Sequence, residues 1–340
     1  MDLPMRMLAV FLVVCSCRCL AEAAASSDVV EATAKLTDPS PRERQLAAMS
    51  LRRNADASAI EPLVKALQDD AASMDAAIAL GRLHDRRATP WLLKYLDQEL
   101  QARGKPHLCD PLRHESNLNL QCAMIEALGA TGDPGAFPRL CELASDPDAG
   151  IRCSVAEALG HFAAPQPLRT LQPMLRDENT PVRVAAAGAL CKSDEPEAGL
   201  ALLSALEDGK LGSGLRASNL AIAEGLAKHP TPEFIQRLIP LLASNSAEQQ
   251  FTAAMSLGKM KTPDAFQPLI GALKHKYPAW RKAAVEALGE LGDPRAIPEI
   301  EKFQNDSWDE MRQAAAEALR KLGSSPKPLS AGTVESAAPH

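Results

Sequence analysis

The sequence IRCSVAEALG at Ile151–Gly160 returns with small changes as WRKAAVEALG at Trp280–Gly289 and as MRQAAAEALR at Met311–Arg320. Apolar residues recur every three or four positions in each stretch and no proline interrupts it, as in a helix with one apolar face. Aligning the chain on the leucine of this pattern gives nine related segments, and five of the spacings between them are 31 residues. The aligned leucines are Leu51, Leu80, Leu128, Leu159, Leu190, Leu226, Leu257, Leu288 and Leu319. A repeat of this length predicts stacked copies of one small unit.

A second helix precedes each of these segments, and turn residues mark where it begins. In Gly132-Asp133-Pro134 and Gly292-Asp293-Pro294 the glycine ends one helix in a left-handed conformation, while Asp-Pro begins the next. Each unit is therefore helix A, turn, helix B, and nine units span roughly residues 28–53, 56–83, 86–130, 134–161, 165–192, 196–228, 231–260, 263–291 and 294–322. One hairpin cannot bury its own apolar face, so we predict an all-α fold: an alpha-alpha superhelix, or solenoid, of about nine helical hairpins.

Composition supports helices and argues against several other classes. The 340 residues are 46% hydrophobic but only 4% aromatic, whereas β-sandwiches and barrels draw on aromatic and β-branched residues. Alanine dominates, and it favours helices that approach closely. A net charge of −6 gives no reason to expect nucleic-acid binding, which is usually accompanied by a basic excess.

The N-terminus has the order of a secretory signal. An apolar run, MLAVFLVV at residues 7–14, is followed by small residues with A-x-A cleavage patterns that end at Ala23 or Ala25. We therefore expect residues 1–25 to be a signal peptide and the protein to be exported, periplasmic or extracellular. The run is too short for a permanent membrane span. An alternative is a lipoprotein anchored at Cys17. Residues 26–323 form the repeat domain, and residues 324–340 are expected to be a disordered tail.

These units resemble HEAT repeats of the phycobilisome-lyase-like type, which have an armadillo-type fold. In that family a turn aspartate and a helix-B arginine form a ladder of side-chain bonds along the stack. The matching pairs, six residues apart, are Asp38 and Arg44, Asp146 and Arg152, Asp177 and Arg183, and Asp306 and Arg312. Ser244 and Gln250 replace both members together. His275 and Arg281 depart from the pattern, so we expect the ladder to be broken there.

Helix B lines the concave face in that family, so its polar columns are candidates for partner binding. Two positions before the aligned leucine stands an acidic column: Glu126, Glu157, Glu224, Glu286 and Glu317. Two positions after it stands a mostly basic column: Arg53, Arg82, His161, Lys192, Lys228, Lys259 and Lys321. The columns would grip an extended polar partner. Alternatively they are solvated helix surface, with Glu224–Lys228 and Glu317–Lys321 as ordinary i,i+4 pairs.

Residues 98–117 interrupt the third unit and are its least repeat-like part. His107, Cys109, Asp110 and His114 offer ligand types for zinc, but without a second paired set, so we predict no metal. The cysteines that follow the signal are five, an odd number: Cys109, Cys122, Cys141, Cys153 and Cys191. We prefer a Cys109–Cys122 disulfide that fixes the insertion. Cys122 and Cys153 occupy one column of adjacent helices, about 8–10 Å apart, which is too far for a bond.

Two functions from different classes remain. Di-iron hydroxylases with HEAT-like repeats use repeated His-Glu motifs, but this chain has one, His114-Glu115, outside the repeat column. We expect a monomeric, non-enzymatic interaction scaffold without a cofactor, which binds a protein or peptide and no nucleic acid. The alternative, implied by the resemblance, is a lyase-like enzyme or assembly factor that binds a tetrapyrrole such as bilin or haem. Tyr277, Trp280 and Trp308 near the C-terminal end are either a binding hot spot or core packing.

Overall fold

A computed structural model describes residues 28–102, 111–163, 165–211 and 216–324, without the side chains of residues 111–116 and 217. The described residues form eighteen α-helices, joined by turns and short 3₁₀ segments, and contain no strand. The predicted all-α fold is confirmed. The chain divides at residue 163 into an N-terminal unit and a C-terminal unit, each compact by itself.

The N-terminal unit holds four hairpins, in which odd-numbered helices are A helices and even-numbered helices are B helices. They are α1 (residues 28–35), α2 (Pro41–Asn54), α3 (Ile60–Ala66), α4 (Ser73–Arg82), α5 (Thr89–Ala102), α6 (Pro111–Thr131), α7 (Phe137–Leu143) and α8 (Ala149–Leu159). Short 3₁₀ turns at Ala57–Ala59, Arg86–Ala88 and Pro134–Ala136 lead into α3, α5 and α7.

The C-terminal unit continues the alternation with five hairpins. Its helices are α9 (Leu168–Met174), α10 (Thr180–Cys191), α11 (Pro196–Glu207), α12 (Arg216–Ala227), α13 (Pro232–Leu238), α14 (Ala247–Met260), α15 (Phe266–Ala272), α16 (Pro278–Leu291), α17 (Ile297–Glu301) and α18 (Asp309–Lys321). Three 3₁₀ segments, Ile239–Ala243, Pro263–Ala265 and Pro294–Ala296, lie between them.

The turns have the local chemistry that their sequence predicts. Gly292 follows α16 with φ of 78°, a left-handed conformation that glycine adopts without steric cost. The Asp293 carboxylate then accepts the backbone N–H of Arg295 at 3.0 Å and begins the next 3₁₀ turn. Gly132 and Asp133 repeat this arrangement before α7, with φ of 59° at the glycine. A helix therefore ends and the next begins within three residues.

Within each unit, successive B helices pack backbone against backbone. All nine aligned leucines are buried in the seams between helices. A Cβ atom added to Gly129 of α6 would lie 2.5 Å from Cα of Ala158 in α8, and one added to Gly258 of α14 would lie 2.9 Å from Cα of Ala287 in α16. At these contacts there is room for glycine against alanine but not for a larger side chain. The chain is therefore rich in small residues and poor in aromatic ones.

The insertion in the third hairpin is partly helical. Helix α5 continues to Ala102 and α6 begins at Pro111, so both ends of the 98–117 segment lengthen the helices that flank it. Residues 103–110 lie outside the described residues, as do the predicted signal at 1–25 and the tail from residue 325. In the described part of the chain, no helix is long and apolar enough to cross a membrane.

Candidate functional site

The turn arginines bind the backbone of their own turn. Arg44 donates from Nη1 to the carbonyl oxygen of Asp38 at 2.9 Å, whereas the Asp38 carboxylate accepts the backbone N–H of Ser40 at 2.8 Å. The guanidinium also pairs with the carboxylate of Asp69, 3.2 Å from Nη2, in the turn of the next hairpin. The carboxylate link therefore runs between neighbouring hairpins. The sequence analysis missed Asp69 because Asp75 stands where that unit would carry its arginine.

The same bond to the carbonyl six residues earlier recurs along the chain. It joins Arg152 to Asp146 at 2.8 Å, Arg183 to Asp177 at 2.9 Å and Arg312 to Asp306 at 2.8 Å. The two departures keep this bond. Arg281 donates to the His275 carbonyl at 3.0 Å, and Gln250 donates to the Ser244 carbonyl at 2.5 Å. We expected the ladder to be broken at His275. The hydrogen bond within the turn is kept there, because its acceptor is a backbone carbonyl, which any residue supplies. The ladder fixes the turns between helices A and B.

In the C-terminal unit the column residues pair with one another across hairpins. Lys259 Nζ lies 3.1 Å from Glu224 and 4.0 Å from Glu290, and Lys321 Nζ lies 2.7 Å from Glu290. Glu290 stands in the basic column, two positions after Leu288, and the sequence analysis overlooked it. Its pKa is raised by burial, but the hydrogen bond and charge of Lys321 and the charges of Lys259 and Lys261 outweigh this effect and lower the pKa overall.

The remaining column residues of this unit also find partners that the sequence analysis did not expect. Lys228 binds Asp194 at 2.8 Å and not Glu224, and Glu317 pairs with Arg320 and not Lys321. The predicted i,i+4 pairs are therefore replaced by other contacts. Glu286 pairs with Arg216 of α12, and Lys192 is exposed. Most charges of this surface neutralise one another.

The N-terminal unit brings four predicted column residues to one pocket. Glu126, Glu157, Arg82 and His161 line a cavity of about 260 Å³ formed by the B helices α4, α6 and α8 and the turns that follow α4 and α8. The other lining residues are Ile78, Gly81, His84, Ala123, Ala127, Ala130 and Ala158. Arg53, the fifth predicted residue of this unit, is exposed at the end of α2 and is not part of the lining.

The pocket exists because one position of the basic column lacks a long side chain. Ala130 stands two positions after Leu128, between Arg82 of the preceding hairpin and His161 of the following one. Its methyl group leaves open the space that a lysine or arginine would fill. Glycine and alanine also form the floor, where Gly81 and Ala127 hold α4 and α6 in close contact. The sequence contains this signal as a gap in the column, and our sequence analysis did not use it.

Burial and neighbouring carboxylates raise the pKa of acidic groups in and beside the pocket. Burial and the charge of Glu157 raise the pKa of Glu126, more than the hydrogen bond from Ser154 lowers it. Beside the pocket, burial first and then Glu157, Cys122 and Glu126 raise the pKa of the Cys153 thiol to about 11. Both shifts mean that the surroundings of Glu126 and Glu157 disfavour additional negative charge.

Two of the basic lining residues, Arg82 and His84, are held by backbone carbonyls. Arg82 donates from Nη1 to the carbonyl oxygen of Arg52 in α2, at 3.0 Å, which draws its head toward the preceding hairpin. His84 has a left-handed backbone with φ of 51°, and its Nδ1 donates to the carbonyl oxygen of Ala130 at 2.7 Å. The histidine thereby ties the end of α4 to the end of α6. Besides these two residues and His161, the pocket presents two carboxylates and four alanines.

The sequence profile described as HEAT repeats matches residues 29–103, 106–191, 152–223, 211–277 and 235–320. These matches cover nearly all of the described helices. The chain belongs to the HEAT-repeat family. A search of curated proteins found no match.

Solved structures resemble this chain at low sequence identity. Kap121p bound to Nup53p has a TM-score of 0.52 and 13% identity, over 87% of this chain and 37% of that chain. An engineered protein has a TM-score of 0.43 and 21% identity, over 88% and 89%. The complex of CpcE and CpcF of phycocyanin lyase from Nostoc has a TM-score of 0.38 and 20% identity, over 86% and 93%. At this identity the likeness concerns the fold alone.

The remaining candidate residues, among those that the structure describes, do not come together in a site. Cys109 and the side chain of His114 lie outside the described residues, so the Cys109–Cys122 disulfide stays a prediction. Among the residues whose side chains are described, no three His, Cys, Asp or Glu residues form a group able to hold a metal ion. Tyr277 and Trp280 pack edge to face with ring centroids 4.4 Å apart, and the Tyr277 side chain remains exposed. Trp308 lies under Lys282 in a cation–π contact.

Proposed function

We propose that the protein is a non-enzymatic interaction scaffold that binds an extended protein or peptide segment through the B-helix surface of its N-terminal unit. The observation that supports this proposal is the pocket between α4, α6 and α8. It is a concave feature lined by two carboxylates, Glu126 and Glu157, in a family whose repeats commonly mediate protein binding.

The size of the pocket favours a side chain over a cofactor. Sites for small molecules and cofactors are usually about 300–1,000 Å³. A cavity of about 260 Å³ is below that range and matches one long side chain of a partner. It therefore supports the scaffold over the tetrapyrrole alternative, whose ligand needs a larger enclosure.

Affinity capture from a native extract tests the binding function. The bait is the whole chain, and the comparison bait is a variant with Glu126→Lys and Glu157→Lys. A second comparison bait carries Glu61→Lys and Glu142→Lys on the exposed A-helix surface of the same unit. We expect a partner that the unmodified chain and the A-helix variant enrich and the pocket variant does not. The same set of proteins on all three baits, or none, would contradict the proposal.

We further propose that the protein acts outside the cytosol, because the order of its N-terminal residues is that of a secretory signal. N-terminal sequencing of the protein from a periplasmic or secreted fraction tests this. A chain beginning near Ala24 or Ser26 supports cleavage, and a lipid-modified chain beginning at Cys17 supports anchoring. Full-length protein confined to the cytosol would overturn the proposal of export.

A further inference from the structure

We propose that the pocket between α4, α6 and α8 receives one lysine side chain of the partner, with its ammonium group between Glu126 and Glu157. The inference rests on the proposed binding function and adds the chemistry of the residue that is recognised. It follows from the shape of the pocket, the composition of its floor and the arrangement of charge around it.

The floor of the pocket suits the stem of a lysine. Ala127 and Ala158 belong to the tight seams in which α6 meets its neighbours, so their methyl groups stand on rigid backbone. Ala130 leaves the pocket open where the basic column would otherwise continue. Lysine buries its four methylene groups along apolar surface while its charged end stays at a polar rim.

The charge of the pocket suits an ammonium group. Glu126 and Glu157 line the pocket from adjacent helices, and after burial the charge of Glu157 raises the pKa of Glu126, so a cation placed there relieves their repulsion. Arg82 uses one N–H on the carbonyl of Arg52, away from α6. The Nδ1 proton of His84 is likewise used on Ala130.

Two carboxylates on different helices favour lysine over arginine. The ammonium group is a compact charge with three donors, which it can divide between separate acceptors. A guanidinium matches one carboxylate through its planar fork. The C-terminal unit shows the lysine arrangement within the chain itself, where Lys259 lies between the carboxylates of Glu224 and Glu290 on neighbouring helices.

Titration with single-residue probes tests the inference on the whole chain. The probes are Nα-acetyl-lysine N-methylamide, the norleucine analogue, which lacks the ammonium group, and the arginine analogue. Binding is followed through the ¹³C-methyl signals of labelled alanines, since Ala123, Ala127, Ala130 and Ala158 line the pocket. We expect saturable shifts of pocket methyls with a Kd in the millimolar range for the lysine probe, and binding at least about tenfold weaker for the other two probes.

Two variants and a matched control locate the effect. Glu126→Gln with Glu157→Gln should weaken the lysine probe at least about tenfold, and Ala130→Lys should abolish its shifts by filling the pocket. Glu61→Gln with Glu142→Gln, on exposed A helices, should leave binding unchanged. Melting curves establish that each variant is folded.

The outcomes separate this inference from the proposed function. Absence of binding, equal binding of lysine and norleucine probes, tighter binding of the arginine probe, or undiminished binding to the glutamine variant would each overturn the lysine assignment. If a partner is captured but the lysine probe does not bind, the inference fails and the scaffold function stands. If the probe binds as expected but capture is the same with the pocket variant, the scaffold function fails instead.

Discussion

The two units carry the same B-helix columns but differ in what those columns do. In the C-terminal unit, Lys259 and Lys321 bind Glu224 and Glu290 across hairpins, and the surface is largely neutralised. In the N-terminal unit, Ala130 leaves a gap, Glu126 and Glu157 face a pocket, and burial followed by the charge of Glu157 raises the pKa of Glu126. A repeat therefore determines where side chains stand, while single residues within a column decide whether a surface is closed by ion pairs or open to a ligand.

The largest effect is expected from separating the helices that form the pocket. Gly129→Ala places a Cβ atom 2.5 Å from Cα of Ala158, so α6 and α8 must move apart. We expect a loss of about 1–3 kcal/mol in the free energy of unfolding, as for other overpacked cores. Hydrogen exchange of α6 and α8 peptides measures it.

Gly188→Ala in α10 of the C-terminal unit is the matched control. A Cβ atom at Gly188 has nothing within 4 Å, so only helix propensity changes. This substitution should stabilise its helix by up to about 1 kcal/mol. If Gly129→Ala destabilises the protein and Gly188→Ala stabilises it, the close contact between α6 and α8, and not the replacement of a flexible residue, causes the loss of stability at Gly129. Equal and favourable effects would show that the seam of the N-terminal unit is loose.

The next largest effect on stability is expected in the turn ladder, in which Arg44 is charged and Gln250 is neutral. Arg44→Leu removes hydrogen bonds to the Asp38 carbonyl and leaves Asp69 without its guanidinium partner. We expect a cost of about 1–2 kcal/mol, at the lower end for bonds to charged groups because the pair is partly exposed. Gln250→Leu loses one neutral bond and should cost about 1 kcal/mol. Urea denaturation of both variants tests this order, and a larger loss at Gln250 would reverse it.

The turn chemistry and the repeat could be predicted from the sequence because both are local. The buried leucines and the turns at Gly132 and Gly292 require only a helix period and a left-handed residue. The partners of Lys259 could not be predicted, because they depend on which helices lie side by side and on how far each side chain reaches. The sequence alone indicates pairs four residues apart. Glu290 was present in the alignment as an acid in a basic column, and Ala130 as a gap. Both signals are differences from the repeat, which agreement between the units does not reveal.

A smaller effect distinguishes Glu290 from Glu126 by how the contribution of each carboxylate to stability depends on pH. The folded-state pKa of Glu290 lies below its ordinary value of 4.5, so its ionised form stabilises the fold above that pH and the contribution is lost as pH falls through the lowered pKa. The pKa of Glu126 lies above 4.5, so its contribution is present below that pH and is lost as pH rises through the raised pKa.

At pH 7, Glu290→Gln should therefore destabilise the protein and Glu126→Gln should stabilise it, each by roughly 0.2–1 kcal/mol, because both groups are partly exposed. Both differences should shrink as the pH falls below 4.5, where Glu126 is protonated. The charged and titratable groups that line the pocket with Glu126 are Glu157 of α8, Arg82 and His84 at the end of α4, and His161 after α8. Urea denaturation at pH 7 and at pH 4 tests the signs, and like signs for both variants would refute the contrast.

The smallest change in stability, and the sharpest test of the comparison, is expected from Ala130→Lys. This substitution continues the basic column through the N-terminal unit and places an ammonium group where Lys259 stands in the C-terminal unit. If column residues alone separate the two surfaces, the new lysine should reach Glu126 or Glu157 and lower the pKa of Glu126, which ¹³C-carboxyl NMR measures. Stability should change by less than about 1 kcal/mol, since an exposed ion pair contributes little. Ala272→Lys, at the end of an A helix, provides the control. An unchanged pKa of Glu126 would mean that backbone geometry, and not the missing side chain, keeps this surface open.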